Sequence, residues 1–186
     1  MTVTVEQRER LLTMQYATTR VLAEAATIDE GIPRILEAIC QTLSWDHGAV
    51  WILDDRATNL RCLYMWCRPG TQLAEFEQTS RSTTFARGVG LPGRVWASGE
   101  PAWIADVALD SNFPRAAVAA HCGLHGAFGF PILLGGEILG VLEFFSSEIR
   151  EPDADLLRAM STIGGQIGHF LDSHRVEREP LPVDEN

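Results

Sequence analysis

Apolar positions along the chain follow two rhythms, one helical and one extended. Between Val5 and Ala26, a stretch free of Gly and Pro, Leu11, Met14, Thr18, Val21 and Ala25 recur at alternating three- and four-residue steps. That predicts one helix with a mixed rather than strongly apolar stripe. A second helix follows, with Ile32, Ile35, Leu36, Ile39 and Leu43 on its buried face. Its start has two competing signals. Thr27 with Glu30 three residues on reads as a capping box, whereas Asp29 reads as a later cap that Pro33, best tolerated in a first turn, favours. The last helix is the clearest: Pro152 stands as its first-turn proline, Asp153 and Asp155 suit the positive end of its dipole, and it runs to about His174. Leu156, Met160, Ile163, Ile167 and Phe170 step along it by four and three, with Leu157, Gly164, Gly168 and Leu171 on a neighbouring stripe.

The extended rhythm occupies the middle. Gly48 to Leu53 is a short β-branched and aromatic run, residues 54–59 are a turn, and Leu60 to Cys67 is the returning strand of a hairpin. Residues 68–87 read as a polar loop with one short helix around Leu73 to Phe76, and residues 101–105 as a third strand. Phe113 to Cys122 is Ala-rich and helical in character. Two apolar strands then meet at Gly135-Gly136, a pair suited to a tight hairpin, and Pro131 marks an edge or bulge in the first of them. The order predicts an α+β domain whose antiparallel sheet of about six strands carries helices on one face.

Composition narrows the function. Charged residues make up 22% and hydrophobic residues 46%, values of a globular chain that buries its own core. A net charge of −10 argues against a nucleic-acid partner and against docking on anionic membranes. All 15 basic residues are Arg, so chemistry that needs a phosphate-binding or Schiff-base lysine is excluded. Cys40, Cys62, Cys67 and Cys122 show no C-x-x-C spacing, the first ten residues are no signal peptide, and no apolar run is long enough to span a membrane. A cytoplasmic protein with reduced thiols is the expectation.

Residues 88–107, GVGLPGRVWASGEPAWIADV, then NFPRA at 112–116 and GAFGFPILLGGEILGVLEFFS at 126–146, carry a family resemblance. The chain resembles the GAF domain family over roughly residues 28–171, in the form common in bacterial sensor histidine kinases. The resemblance implies a ligand pocket on the sheet face opposite the helices, closed by a short helix and loops. It also implies flanking helices that pair in dimers and pass a signal on. The expected organisation is a signalling and dimerisation helix at 1–27, a GAF domain at 28–174 and an acidic tail or linker at 175–186. The expected partners are an unidentified small molecule, a second copy of the chain and an effector such as a histidine kinase, in cis or in trans. The implied function is sensory, in two-component signal transduction, and not enzymatic.

The candidate ligand-binding residues are Trp103, Asp106, Phe113, His121, Cys122, His125 and Phe128, all within or beside segments 85–105 and 113–125. No catalytic residue and no metal ligand is assigned, and the cofactor stays open. His121, Cys122 and His125 fall within five residues and keep two alternatives alive: a small thiol or metal enzyme, or a haem or redox sensor. Against the enzyme, the cysteine positions of the relatives that reduce free methionine sulfoxide fall near Pro92 and Ala120. Against a covalent bilin, Pro114-Arg115 stands where pigment-binding relatives carry Cys-His. Gly88-x-Gly90-x-x-Gly93 matches a dinucleotide fingerprint only as a pattern, since no buried strand precedes it, and it is read as a structural turn.

Overall fold

A computed structural model describes residues 4–175, and its first two helices begin at threonine caps. Thr4 and Gln7 form a reciprocal capping box at the start of α1, Val5–Glu24. Thr27 caps α2, Ile28–Leu43: its hydroxyl accepts the Glu30 amide at 3.2 Å, and the Glu30 carboxylate reaches back to the Ala26 amide at 3.1 Å. The earlier of the two expected starts is therefore the real one, and Pro33 lies inside the helix. Two satisfied amides at the cap outweigh the one backbone bond that Pro33 cannot make.

The strands are β1, His47–Leu53, β2, Leu60–Cys67, and the two-residue β3, Thr84–Phe85. The short β4, Ala102–Ile104, precedes the long hairpin of β5, Gly126–Leu134, and β6, Glu137–Ser146. They form one antiparallel sheet in the order β3-β2-β1-β6-β5-β4. Gly135 and Gly136 turn the last hairpin with φ of +56° and +87°, the left-handed pair that a two-residue loop requires. β4 stops pairing at Gly129, so Pro131 lies where β5 has a neighbour on one side only.

Between the strands lie α3, Ala74–Ser82, α4, Gly90–Ser98, a 3-10 turn at Val107–Leu109, and α5, Ala116–His121. The expected loop at 68–87 thus holds a nine-residue helix and a strand, and the expected helix from Phe113 shrinks to six residues. α6, Ala154–Ser173, starts one residue after Asp153, whose carboxylate accepts the Asp155 and Leu156 amides; Pro152 stands just outside.

The long helices α1, α2 and α6 cover one face of the sheet, and the short helices α3, α4 and α5 cover the other. α6 lies unusually close to β5. A Cβ on Gly164 would stand 2.2 Å from the Pro131 carbonyl oxygen, and one on Gly168 would stand 2.0 Å from that of Leu133. These glycines serve the domain's own packing rather than a seam with a second chain. Leu156, Met160, Ile163, Ile167 and Phe170 are buried in the same way. The expected acidic tail at 175–186 lies, apart from Arg175, outside the described residues.

Candidate functional site

Strand alternation decides which side chains meet. On the short-helix side β1 presents His47, Ala49 and Trp51, and β6 presents Val141, Glu143 and Phe145. A bulge between Val50 and Trp51 shifts the register with β2, which places Cys62, Met65 and Cys67 on this same face. Leu91 and Val95 of α4, Phe76 and Ser80 of α3, Phe85 of β3 and the loop residue Phe113 close over it.

At the centre lies a buried ion pair. Arg115, 2% exposed, donates from Nη2 to Glu143 Oε2 at 2.8 Å and from Nη1 to Ser80 Oγ at 3.0 Å. Glu143 is fully buried, and its Oε1 accepts the Trp51 indole N–H at 2.8 Å. Five rings, those of Trp51, Phe76, Phe85, Phe113 and Phe145, surround the guanidinium carbon at 4.9–5.3 Å. Ring faces are electronegative, so this is a cage for positive charge. Burying two charges is tolerable only when each is paired and hydrogen-bonded, which holds here for all but Arg115 Nε.

The segment carrying Arg115 is held from its neighbour side. Asn112 accepts the Gly90 amide and donates to the Gly88 carbonyl, while Arg94 grips the Asp110 carboxylate at 2.6 and 3.1 Å and the Asn112 carbonyl at 2.7 Å. Arg94 holds the Asp110 carboxyl below its ordinary range. Gly93 is needed because a Cβ there would meet the Ala86 carbonyl oxygen at 2.4 Å. The glycine motif is a structural turn in an antiparallel sheet, as its context in the sequence suggests.

The expected site residues do not come together. Phe113 is in the cage, and Cys122 packs at its border. Trp103 and Phe128 point to the opposite face, stacked on each other at 5.4 Å beneath the long helices, with the Trp103 indole N–H bonded to the Arg150 carbonyl. Asp106 caps the 3-10 turn and holds His125 Nδ1 at 3.0 Å, the bond that chiefly lowers its carboxyl's proton affinity. His121 is exposed beside Glu75. Among the described residues His121, Cys122 and His125 form no convergent donor group. The residues that do converge, Arg115 and Glu143 above all, escaped the sequence reading. The signal was a lone carboxylate at an inward position of the apolar run 139–145. A cleft of about 710 Å³ sits elsewhere, at the hairpin end of the sheet, lined by Ile52, Asp54, Arg61, Trp96 and Leu139 among others. It gathers no buried charge, so the caged pair is the better candidate site.

A sequence model of the GAF domain matches residues 25–172. The chain belongs to the GAF domain family. The GAF domain of a phosphoenolpyruvate-protein phosphotransferase from Coxiella burnetii is similar with a TM-score of 0.75 at 20% identity, over 91% of this chain and 96% of that one. A free methionine-R-sulfoxide reductase from Neisseria meningitidis, solved with its substrate, gives 0.71 at 14% identity over 95% and 96%. A domain of a two-component sensor histidine kinase protein from Sinorhizobium meliloti gives 0.62 at 17% identity over 82% and 97%. At these identities the likeness carries the GAF fold alone. No curated protein matches the chain. No helix among the described residues of this GAF domain is long and apolar enough to cross a membrane.

Proposed function

We propose that this GAF domain is a sensory, regulatory domain of a cytoplasmic signal-transduction protein, and that its ligand is a small organic cation, an amine or guanidino compound. The observation that carries this reading is the Arg115 guanidinium held in five rings against the buried carboxylate of Glu143. Arg115 is a tethered occupant of a cation site. A ligand that binds the cage more tightly than Arg115 does releases the segment ahead of α5, and the populations of the two states shift by that difference in affinity. Glu143 stands on β6 beside β5, whose carbonyls lie directly under α6, so a change in the hairpin is felt in the long helices. Val5, Leu12 and Tyr16 stay exposed on α1 at helical spacing, a face for a second copy through which an effector such as a histidine kinase is driven.

A binding role also fits the thiols. Burial pushes Cys62 up to about 12 and Cys67 well above the usual thiol range, which disfavours nucleophilic thiolates. Native mass spectrometry of the full chain purified from its own host tests both parts of the proposal. The expected species is a dimer with one small cation per chain, the cation being lost in Glu143→Gln. Bare chains of 20.5 kDa, with no thermal shift from any of a panel of amines and guanidino compounds, would overturn it.

A further inference from the structure

His47 and Cys67 face each other across the antiparallel ladder, the first residue of β1 opposite the last of β2. Glu77, on α3 packed over β2, completes a trio: one donor atom from each lies within 4.8 Å of the other two. His47 is wholly buried, and neither of its ring nitrogens has a hydrogen-bond partner. A buried polar atom without a partner is destabilising, and here both nitrogens of one ring carry that cost. Edge-on contacts with Phe76 at 5.3 Å and Phe145 at 5.8 Å border the ring without giving either nitrogen a hydrogen-bond partner.

We propose that His47, Cys67 and Glu77 bind a divalent transition metal, with zinc the ion they suit best. Imidazole, thiolate and carboxylate are the three ligand types that zinc takes, at bond lengths of about 2.0–2.3 Å. Tetrahedral donors at those lengths stand roughly 3.3–3.8 Å apart, so Cys67 and Glu77 need only small rotamer changes to close on the ion. Both side chains are half-buried. Charge also balances: a dication with one thiolate, one carboxylate and a neutral imidazole has no net charge, which a low-dielectric site tolerates. The His47 ring is wholly buried with neither nitrogen in a hydrogen bond, so a ring lone pair is free to meet the ion. The Cys67 thiol gives up its proton to solvent as the metal–sulfur bond forms. Three protein ligands leave one position open to an exchangeable group, as at zinc sites that act on a bound molecule rather than hold a fold together.

The test is titration of the metal-stripped full chain with Co(II), followed by competition with Zn(II). One equivalent is expected to give the near-ultraviolet thiolate-to-cobalt charge-transfer band together with the intense visible bands of a tetrahedral ion. Zn(II) should abolish both. Cys67→Ser should remove the charge-transfer band, and Glu77→Gln should weaken binding at least tenfold. Cys62→Ser and Cys122→Ser should change neither. His47→Asn is also expected to weaken binding, but it alters the core, so the decisive variants are those at the half-buried positions 67 and 77. No charge-transfer band in the parent chain, or a band that survives Cys67→Ser or disappears in Cys122→Ser, would overturn the site.

Discussion

The two faces of the sheet are packed by opposite rules. On the long-helix side the core is mainly apolar: Phe128, Phe130 and Phe144 lie nearly parallel with centroids 5.0–6.3 Å apart, and Ile, Leu and Met side chains from α2 and α6 close over them. On the short-helix side the same strands bury His47, Ser80, Arg115 and Glu143 among aromatic rings. Non-directional apolar packing stabilises the first face, whereas the second is stable only while every charge keeps its partner. A polar centre under short helices is therefore where a ligand can compete with the protein for its own groups. Among the described residues the long-helix side buries no ion pair.

The sharpest way to break this comparison is to remove one charge. Glu143→Leu leaves Arg115 buried and unpaired and should cost about 3–5 kcal/mol in urea unfolding. Adding Arg115→Met should recover most of that loss. Phe144→Ala, one residue away on the other face, should cost about 3–5 kcal/mol through the cavity it leaves, and no second deletion should restore it. If the Arg115→Met change failed to rescue Glu143→Leu, the pair would be ordinary packing and the contrast between the faces would fall.

Acid separates the faces next. An unfolded His47 takes up a proton below its ordinary value of 6.5, whereas the folded one does so only near 3. Lowering the pH through that window therefore favours the unfolded chain, and the stability present above pH 6.5 is lost progressively. The loss from this one group should reach about 3 kcal/mol by pH 4. Asp54, Asp106 and Asp110, all held below their ordinary range by hydrogen bonds, contribute mainly below that pH. In metal-free protein, His47→Gln should flatten the profile between pH 6.5 and 4. An unchanged slope would place the acid sensitivity elsewhere.

The same contrast explains what could be read from the sequence. Periodicity located β1, β2 and the β5–β6 hairpin because each is a run of apolar residues bounded by turn chemistry. It shortened α3 to one turn because that helix buries only Phe76 and Ser80, too few positions to set a helical stripe. Sequence alone does not separate Trp103 and Phe128 from pocket residues, because which face of a strand points inward depends on register, and here the neighbouring residues Ile104 and Ala127 take that side. Arg115 and Glu143 are 28 residues apart, so only the folded chain makes them partners. The threonine cap at Thr27 was legible, but Pro33 argued for the wrong alternative.

The smallest effect tests how tightly the apolar side is built, through three glycines on one helix. Gly164 and Gly168 of α6 face β5, where an added Cβ would collide with the Pro131 and Leu133 carbonyl oxygens at 2.2 and 2.0 Å. Those oxygens belong to backbone fixed by the ladder to β6, so the strain cannot be relieved by turning a side chain. Gly168→Ala should push α6 away from the sheet and cost about 1–3 kcal/mol. Gly165, their neighbour, has nothing within 4 Å of where its Cβ would stand. There alanine only improves helix propensity, so Gly165→Ala should stabilise the domain by about 0.5–1 kcal/mol. The two substitutions are chemically identical and three residues apart, so opposite signs in thermal unfolding isolate helix-to-strand contact from propensity. If both were stabilising, α6 would have room to move on β5, and the long helices would be a looser coupling to the short-helix face than the close approach of their backbone implies.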